Sequence, residues 1–310
     1  MRQPQETRVA VLMGGWSPER EVSLNSGEAC AEALRRSGFD IIPVDVRHDI
    51  ASVLADMKPD VAFNALHGVG GEDGTIQGIL EAMRIPYTHS GVLASALAMN
   101  KEKSKHIFRA AGLPVAESLM VSLEDAANAH PMPLPYVIKP VAQGSSVGVQ
   151  IVPVGANAPA KNIINDRRIY GDRVMVEQYI AGKELTCAVM GNVALGITEI
   201  APAVGFYDYE AKYAPGGSRH ILPAPLPPET YRHVQQVALQ AHIALGCRGV
   251  TRADFRYDDS PGSEQDLVLL EVNTQPGMTG TSLVPEIAAH AGHSFEELVT
   301  WMVNDASVDR

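Results

Sequence analysis

Leu269-Leu270-Glu271-Val272-Asn273-Thr274-Gln275-Pro276-Gly277-Met278-Thr279 reads as an apolar strand running into a glycine turn. Strand side chains alternate faces with period two, so the oxygens of Glu271 and Asn273 point the same way. Upstream, Arg252-Ala253-Asp254-Phe255-Arg256-Tyr257 alternates polar and apolar residues like a second strand. The segment between them, Asp258-Asp259-Ser260-Pro261-Gly262-Ser263-Glu264, is dense in turn formers. A fold-back about Pro261-Gly262 sets Asp254 roughly opposite Glu271 and Asn273. Two carboxylates and one amide then converge in front of a glycine turn. Hard oxygen donors of this kind suit magnesium held together with substrate phosphates, which points to ATP chemistry.

Composition bounds the rest. The chain has 310 residues, 45% hydrophobic and 20% charged, an ordinary globular balance with room for two or three lobes. A net charge of -11 argues against nonspecific nucleic-acid binding, although a few lysines can still build a local phosphate site. Cys30, Cys187 and Cys247 lie far apart without metal-ligand spacing and in apolar surroundings, so buried thiols are expected. Met1 to Arg8 is polar and leads straight into a short strand, and no apolar run is long enough to span a membrane. A reduced, cytoplasmic setting without a membrane partner is therefore expected.

The patterning alternates strand and helix at first. Strands are expected at Val9 to Met13, Ile41 to Val46 and Val61 to Leu66. Helices are expected at Ser23 to Arg36, Ile50 to Met57 and Asp73 to Met83. That order predicts a parallel sheet with crossover helices, an α/β lobe over residues 1–98. A helix over Asn100 to Ala111, ended by Gly112 and Pro114, opens a second lobe over 99–184. There Tyr136 to Pro140, Val147 to Val154 and Val174 to Ile180 read as strands of an antiparallel, α+β region. A third lobe, 185–310, holds strands Leu185 to Met190 and Leu195 to Ile200 and the two opening strands. Its helices are Glu229 to Leu245 and Phe295 to Val303. Ala156 to Arg168 and Ala214 to Ser218 read as exposed loops.

Several motifs carry chemistry, each beside a plainer reading. Gly144-Ser145-Ser146-Val147-Gly148 follows Lys139 and lies between two strands, so its backbone amides and hydroxyls can cradle phosphate. It also fits the Gly-x-Ser-x-Gly pattern of hydrolases, but that elbow needs a helix to follow, and the next residues look like a strand. A hairpin turn is the plainer reading. Glu177 in Val174-Met175-Val176-Glu177-Gln178-Tyr179-Ile180 could accept the exocyclic amine of adenine, and Glu184 could take ribose hydroxyls. In isolation Glu177 reads as a solvated edge residue. Gly14-Gly15-Trp16-Ser17-Pro18-Glu19-Arg20-Glu21 and His67-Gly68-Val69-Gly70-Gly71-Glu72-Asp73-Gly74 sit at strand ends where open α/β sheets bind ligands. Singly, each reads as a tight turn with capping acids, and neither is Gly-x-Gly-x-x-Gly. Phe206-Tyr207-Asp208-Tyr209-Glu210-Ala211-Lys212-Tyr213 concentrates four aromatics in a chain with 5% of them, as a loop closing over a ligand would. A surface loop with its own small cluster is the plainer alternative.

In order and number these segments resemble the ATP-grasp superfamily and, within it, the D-alanine–D-alanine ligase family, over nearly the whole chain. The resemblance implies a pre-ATP-grasp lobe followed by a two-lobed ATP-grasp fold. It implies ATP-dependent joining of two D-alanines through D-alanyl phosphate, for peptidoglycan synthesis. It implies ATP as substrate, two Mg2+ or Mn2+ ions, and a homodimer. Carried over, Glu19 holds the first ammonium with His67 nearby, and Glu19, Ser145 and Tyr213 form a triad that fixes loop closure. Arg252 and the amide of Gly277 stabilise the oxyanion. Lys212, Ser282 and Leu283 bind the second D-alanine. Lys101, Lys139, Ser146, Glu177, Gln178, Ile180, Glu184 and Phe206 bind ATP, and Asp254, Glu271 and Asn273 hold metal. Gln178 stands where many relatives carry lysine, and Trp16 where smaller residues are common. Tyr213 favours an amine over the hydroxyl of D-lactate as second nucleophile. A D-alanine–D-lactate ligase, a nucleotide-binding regulator and a Rossmann oxidoreductase are the competing readings.

Overall fold

The computed structural model describes residues 2–202, 218–260, 262 and 267–309. They form one parallel and two antiparallel sheets, the mixture of α/β and α+β expected from the patterning. The parallel sheet has β1 (Arg8–Gly14) between β2 (Asp40–Val46) and β3 (Val61–Asn64). After the exposed Arg8, β1 is apolar because both its faces are covered. Val9, Val11 and Met13 face a core with Cys30 and Leu34 of α1 (Arg20–Arg36). Ala10 and Leu12 face the other way, onto Ile50 and Leu54 of α2 (Ile50–Met57) and Ile76 and Leu80 of α3 (Thr75–Ala82).

Two boundaries differ from expectation for a common reason. α1 starts at Arg20 rather than Ser23, because Ser23 is no cap: its Oγ accepts from Gly14 N at 2.9 Å and donates to Ala65 O at 2.8 Å. β3 ends at Asn64 rather than Leu66, because Asn64 Oδ1 accepts from Leu66 N at 3.2 Å and turns the chain. Side-chain bonding to nearby backbone competes with the regular ladder in both places. A further helix, α4 (Val92–Met99), was not expected. Asn100 separates it from α5 (Lys101–Ala110) and caps the latter by accepting from Lys103 N at 3.1 Å.

The middle sheet runs β4-β7-β5-β6, all antiparallel, from β4 (Ser118–Ser122), β5 (Tyr136–Pro140), β6 (Gln150–Val152) and β7 (Arg173–Gln178). β7 is interior, so Glu177 is not the solvated edge residue of the local reading. β6 begins at Gln150, not Val147. Ser145, Ser146 and Gly148 have φ of 53°, 57° and 72°, and that left-handed run breaks the ladder. Ala156 to Arg168 is not simply an exposed loop. After α6 (Leu123–Asn128), a 3-10 turn over Lys161–Asp166 and α7 (Arg167–Tyr170) fold Ile163 and Tyr170 into the core with Ile138 and Val174.

The last sheet runs β10-β9-β8-β11-β12, also antiparallel. Its strands are β8 (Lys183–Met190), β9 (Val193–Pro202), β10 (Ser218–Ile221), β11 (Val250–Tyr257) and β12 (Leu267–Asn273). One face packs Leu185, Cys187, Val189 and Phe255 against α8 (Pro228–Ala244), with Cys247 in the same core. Ala188, Met190 and Val250 face the opposite core, which they share with β1, α1, α9 (Leu283–His290) and α10 (Phe295–Asp305). The first and last parts of the chain are thus joined through one apolar interior. Among the described residues no helix is long and apolar enough to cross a membrane.

α8 carries His242, only 2% exposed, with Nδ1 2.8 Å from Thr251 Oγ1. Burial pushes its pKa down to about 4, against an opposing pull from Asp305. Unfolded histidine takes a proton near 6.5, whereas the folded residue stays neutral until about 4. Stability from this site is therefore present above pH 6.5 and lost as the pH falls through that window, by up to about 3 kcal/mol. Urea titrations at pH 7 and 4.5 should show a smaller acid loss in His242→Asn than in the parent; equal losses would assign the acid sensitivity elsewhere.

Candidate active site

Two hollows meet at one wall. A cavity of about 590 Å³ opens where the loops after β1 and β3 face the 144–145 turn and the segment after β12. A second, of about 90 Å³, lies between the middle and last sheets. Lys101, Gln143 and Glu271 line both. Every described site candidate from the sequence lines one hollow or the other. Phe206, Lys212 and Tyr213, with the rest of the aromatic segment, lie outside the described residues.

The wall is the β11–β12 pair. Asp254 stands opposite Glu271 and Arg252 opposite Asn273, so the expected convergence follows from the register. Arg252 grips Asp254 through Nε–Oδ1 at 2.8 Å and Nη2–Oδ2 at 2.7 Å. Thr186 Oγ1 donates to Asp254 Oδ1 at 2.6 Å. Lys101 Nζ lies 3.1 Å from Glu271 Oε2 and donates to Gln143 O at 2.8 Å. Asn273 Oδ1 accepts from Gln275 N at 2.8 Å. Each acid thus has a cation beside it. The donor set fits magnesium, being two carboxylates and an amide oxygen on neighbouring positions of one sheet face. Among the described residues no group of three or more acidic, histidine or cysteine side chains stands ready to hold an ion.

Glu19 precedes α1, but its carboxylate does not cap the helix. Ser17 does the local work: its Oγ accepts from Glu19 N at 3.1 Å and donates to His67 O at 2.7 Å. The Glu19 carboxylate is left to project into the larger hollow, where Ser145 Oγ donates to it. Gly68 makes room, since a Cβ there would lie 2.6 Å from Glu19 Oε2 and φ is +72°. In the loop after β3 the acids divide. Asp73 accepts from Gly70 N at 2.9 Å and Thr75 N at 3.0 Å, as a turn former does. Glu72 instead lies 3.2 Å from His67 Nδ1, while His67 Nε2 lies 3.2 Å from Ser26 Oγ.

Past β12, a Cβ on Gly277 would come within 2.9 Å of Ser282 Oγ, which itself accepts from Thr279 N at 2.9 Å. This turn is tied to the first sheet by two buried amides. Asn64 Nδ2 donates to Gln275 Oε1 at 3.0 Å, and Gln275 Nε2 donates back to Asn64 O. In the narrow hollow, Lys139 Nζ donates to Glu177 Oε1 at 2.7 Å, and Lys105 Nζ pairs with Glu177 Oε2. Burial alone would raise the Glu177 pKa, but the two ammoniums outweigh it and hold the carboxyl below the usual range. Burial pushes Lys105 down to about 8, partly offset by Glu177. Sequence reasoning missed Lys105, Thr186 and the Asn64–Gln275 exchange. Only Lys105 left a signal, one helical turn after Lys101 on the same face.

Comparison with known proteins decides the family. The family model described as the D-ala D-ala ligase C-terminus matches residues 107–304, and that of the N-terminus matches 50–90. The chain belongs to the D-alanine–D-alanine ligase family. Relatives named D-alanine--D-alanine ligase include that of Methylobacterium radiotolerans, 63% identical over 97% of this chain and 99% of the relative. That of Parvibaculum lavamentivorans is 62% identical over 99% of both chains. The structure of the Bacillus anthracis D-alanine--D-alanine ligase complexed with ATP is similar at TM-score 0.80 and 30% identity, covering 96% of this chain and 97% of that one. The VanG D-Ala:D-Ser ligase of Enterococcus faecalis is similar at TM-score 0.77 and 30% identity, over 97% of this chain and 99% of that one. Membership in the D-alanine–D-alanine ligase family accords with Ser145 in a left-handed turn, its hydroxyl given to a carboxylate. A hydrolase elbow would sit on a strand-to-helix bend and offer its hydroxyl to an imidazole.

Proposed function

We propose that the chain joins two D-alanines to D-alanyl-D-alanine at the expense of ATP, through D-alanyl phosphate, in peptidoglycan precursor synthesis. The observation that carries the reading is the wall of Lys101 and Glu271, common to the narrow hollow and to the large one beside Glu19. A phosphoryl group passing between a nucleotide and a carboxylate needs such a shared cationic and acidic boundary. A carboxylate is a poor electrophile, so transfer of the γ-phosphoryl to it, with ADP leaving, makes a carbonyl that an amine can attack. The amine then adds, sheds its proton, and phosphate departs.

On this reading Glu19, with His67 beside it, holds the first D-alanine by its ammonium. Arg252 and the Gly277 amide face the charge that develops on the carbonyl and the transferred group. Ser282, Leu283 and Lys212 receive the second D-alanine, and Ser145 and Tyr213 with Glu19 set loop closure. Lys101, Lys139 and Ser146 hold phosphates; Glu177, Gln178, Ile180 and Phe206 hold the base; Glu184 holds the ribose. Asp254, Glu271 and Asn273 are the donors for Mg2+ or Mn2+, two ions, which when bound offset phosphate charge during in-line transfer. We further propose that the protein acts in the cytoplasm as a homodimer. The test is product analysis with MgATP and D-alanine alone, then with added D-serine or D-lactate. D-alanine alone should yield ADP, phosphate and D-alanyl-D-alanine in equal amounts. No ADP from D-alanine would sink the reading, and a preference for mixed products would move it to another second substrate.

A further inference from the structure

We propose that Arg256 is a positioning residue for the nucleotide ribose, locking the link between the middle and last sheets and thereby fixing Glu184. The proposal rests on the reading of Glu184 as the ribose acceptor. Arg256 sits on β11 directly opposite Glu184 on β8. Its side chain is 14% exposed, and its guanidinium is spent on one short stretch of chain. Nε donates to Ile180 O at 3.1 Å, and Nη2 donates to Gly182 O at 2.8 Å. Nη1 lies 3.5 Å from Glu184 Oε2, and Cζ lies 5.9 Å from the centre of the Tyr179 ring. All four partners belong to the link Tyr179–Glu184, which leaves β7 and enters β8.

The same link also runs close against the end of β11. Gly182 has φ +83°, and a Cβ there would lie 2.2 Å from Tyr257 O. A flat, rigid fork reaches two carbonyls and a carboxylate through three separate nitrogens, whereas a lysine ammonium would have to reach all three from a single nitrogen. The link matters because the narrow hollow lies between the two sheets it joins, with Gln178, Ile180, Glu184 and Arg256 in its lining. Without the guanidinium fork, two carbonyls of the link lose donors and the Glu184 carboxylate loses one of its partners. The link, and the carboxylate it carries toward a diol, is then held less firmly.

The test compares ATP with 2′-deoxy-ATP at saturating D-alanine in the parent, Arg256→Ala, Arg256→Lys and Glu184→Gln. Calorimetric titrations with ADP and 2′-deoxy-ADP accompany the rates. The parent should prefer the ribonucleotide about tenfold in kcat/KM, the scale of a hydrogen bond to a charged group. Both Arg256 variants should bring the preference to about twofold, matching Glu184→Gln, with the KM for D-alanine within about twofold of the parent. If Arg256→Ala does not fold, Arg256→Lys carries the same readout, since it keeps the charge and loses the fork. A folded Arg256 variant with the parent's ribose preference overturns the proposal, however slow the variant is. A preference untouched by Glu184→Gln overturns it as well. A parent that makes no ADP from D-alanine sinks the ligase reading instead, and the ADP titrations still decide the role of Arg256.

Discussion

Glu271→Gln should lower ADP formation by roughly a hundred- to a thousandfold while leaving the fold intact. The amide is isosteric with the carboxylate, so β12 keeps its ladder with β11 and its apolar neighbours. What changes is charge at the wall between the hollows. Asp254 would then be the sole carboxylate of the proposed donor set, and it already shares its charge with Arg252. Lys101 would lose its partner at 3.1 Å, leaving an ammonium where phosphate and cation must be balanced. The Glu271 side chain is 27% exposed, so loss of that ion pair alone costs about 1 kcal/mol or less of stability. Rate assays with MgATP, a thermal melt, and Mn2+ binding in the presence of ADP separate the two effects. A variant within tenfold of the parent would remove Glu271 from the chemistry.

Glu177→Leu should instead show first a loss of stability, on the order of 3–5 kcal/mol. Glu177, Lys105 and Lys139 are all buried, Lys105 completely. Among the described residues Glu177 is the only carboxylate within ion-pair distance of either lysine. Taking it away leaves two buried ammoniums facing each other across an apolar side chain. The melting temperature should fall by on the order of 10 °C. Lys105→Met should cost much less, because it leaves a neutral Glu177–Lys139 pair. The pH dependence has a definite sign. Lys105 in the parent is already pushed down to about 8, so the unfolded chain holds its proton more tightly than the folded one above that pH. Stability from this site therefore rises with pH from about 8 toward the free-lysine value. In Glu177→Leu the rise should begin lower, since the favourable Coulomb partner is gone. Equal melting temperatures for Glu177→Leu and Lys105→Met would show that the triad is not held as described.

The parts of the molecule legible in the sequence were those whose chemistry is local. Alternation along Arg252–Tyr257 and Leu267–Asn273 specifies which residues share a face, and one buried face then fixes the register. β1 and β3 were legible because burial on both faces leaves a nearly unbroken apolar run. α4 was missed because Val-Leu-Ala-Ser-Ala-Leu-Ala-Met has no polar stripe against which a period can be read. The folded part of Ala156 to Arg168 was missed because few apolar anchors are set in a polar stretch, which local pattern cannot tell from a loop. Glu177 was misjudged in isolation for a different reason. Whether β7 is an edge depends on β4 pairing beside it, a contact between segments more than fifty residues apart. Lys105, Thr186 and the Asn64–Gln275 exchange likewise acquire meaning only once distant segments meet.

The three cysteines give the chain a chemical clock for its own opening. Each is buried, and burial pushes all three thiols up, Cys187 and Cys247 to about 12. Alkylating reagents consume thiolate, so the closed molecule at neutral pH offers them almost nothing. A thiol is consumed only when its surroundings part. Cys30 belongs to the interior shared by the first and last parts of the chain, while Cys187 and Cys247 lie under α8. Peptide mapping of the alkylated chain over time would therefore tell whether these two interiors come apart together or one before the other.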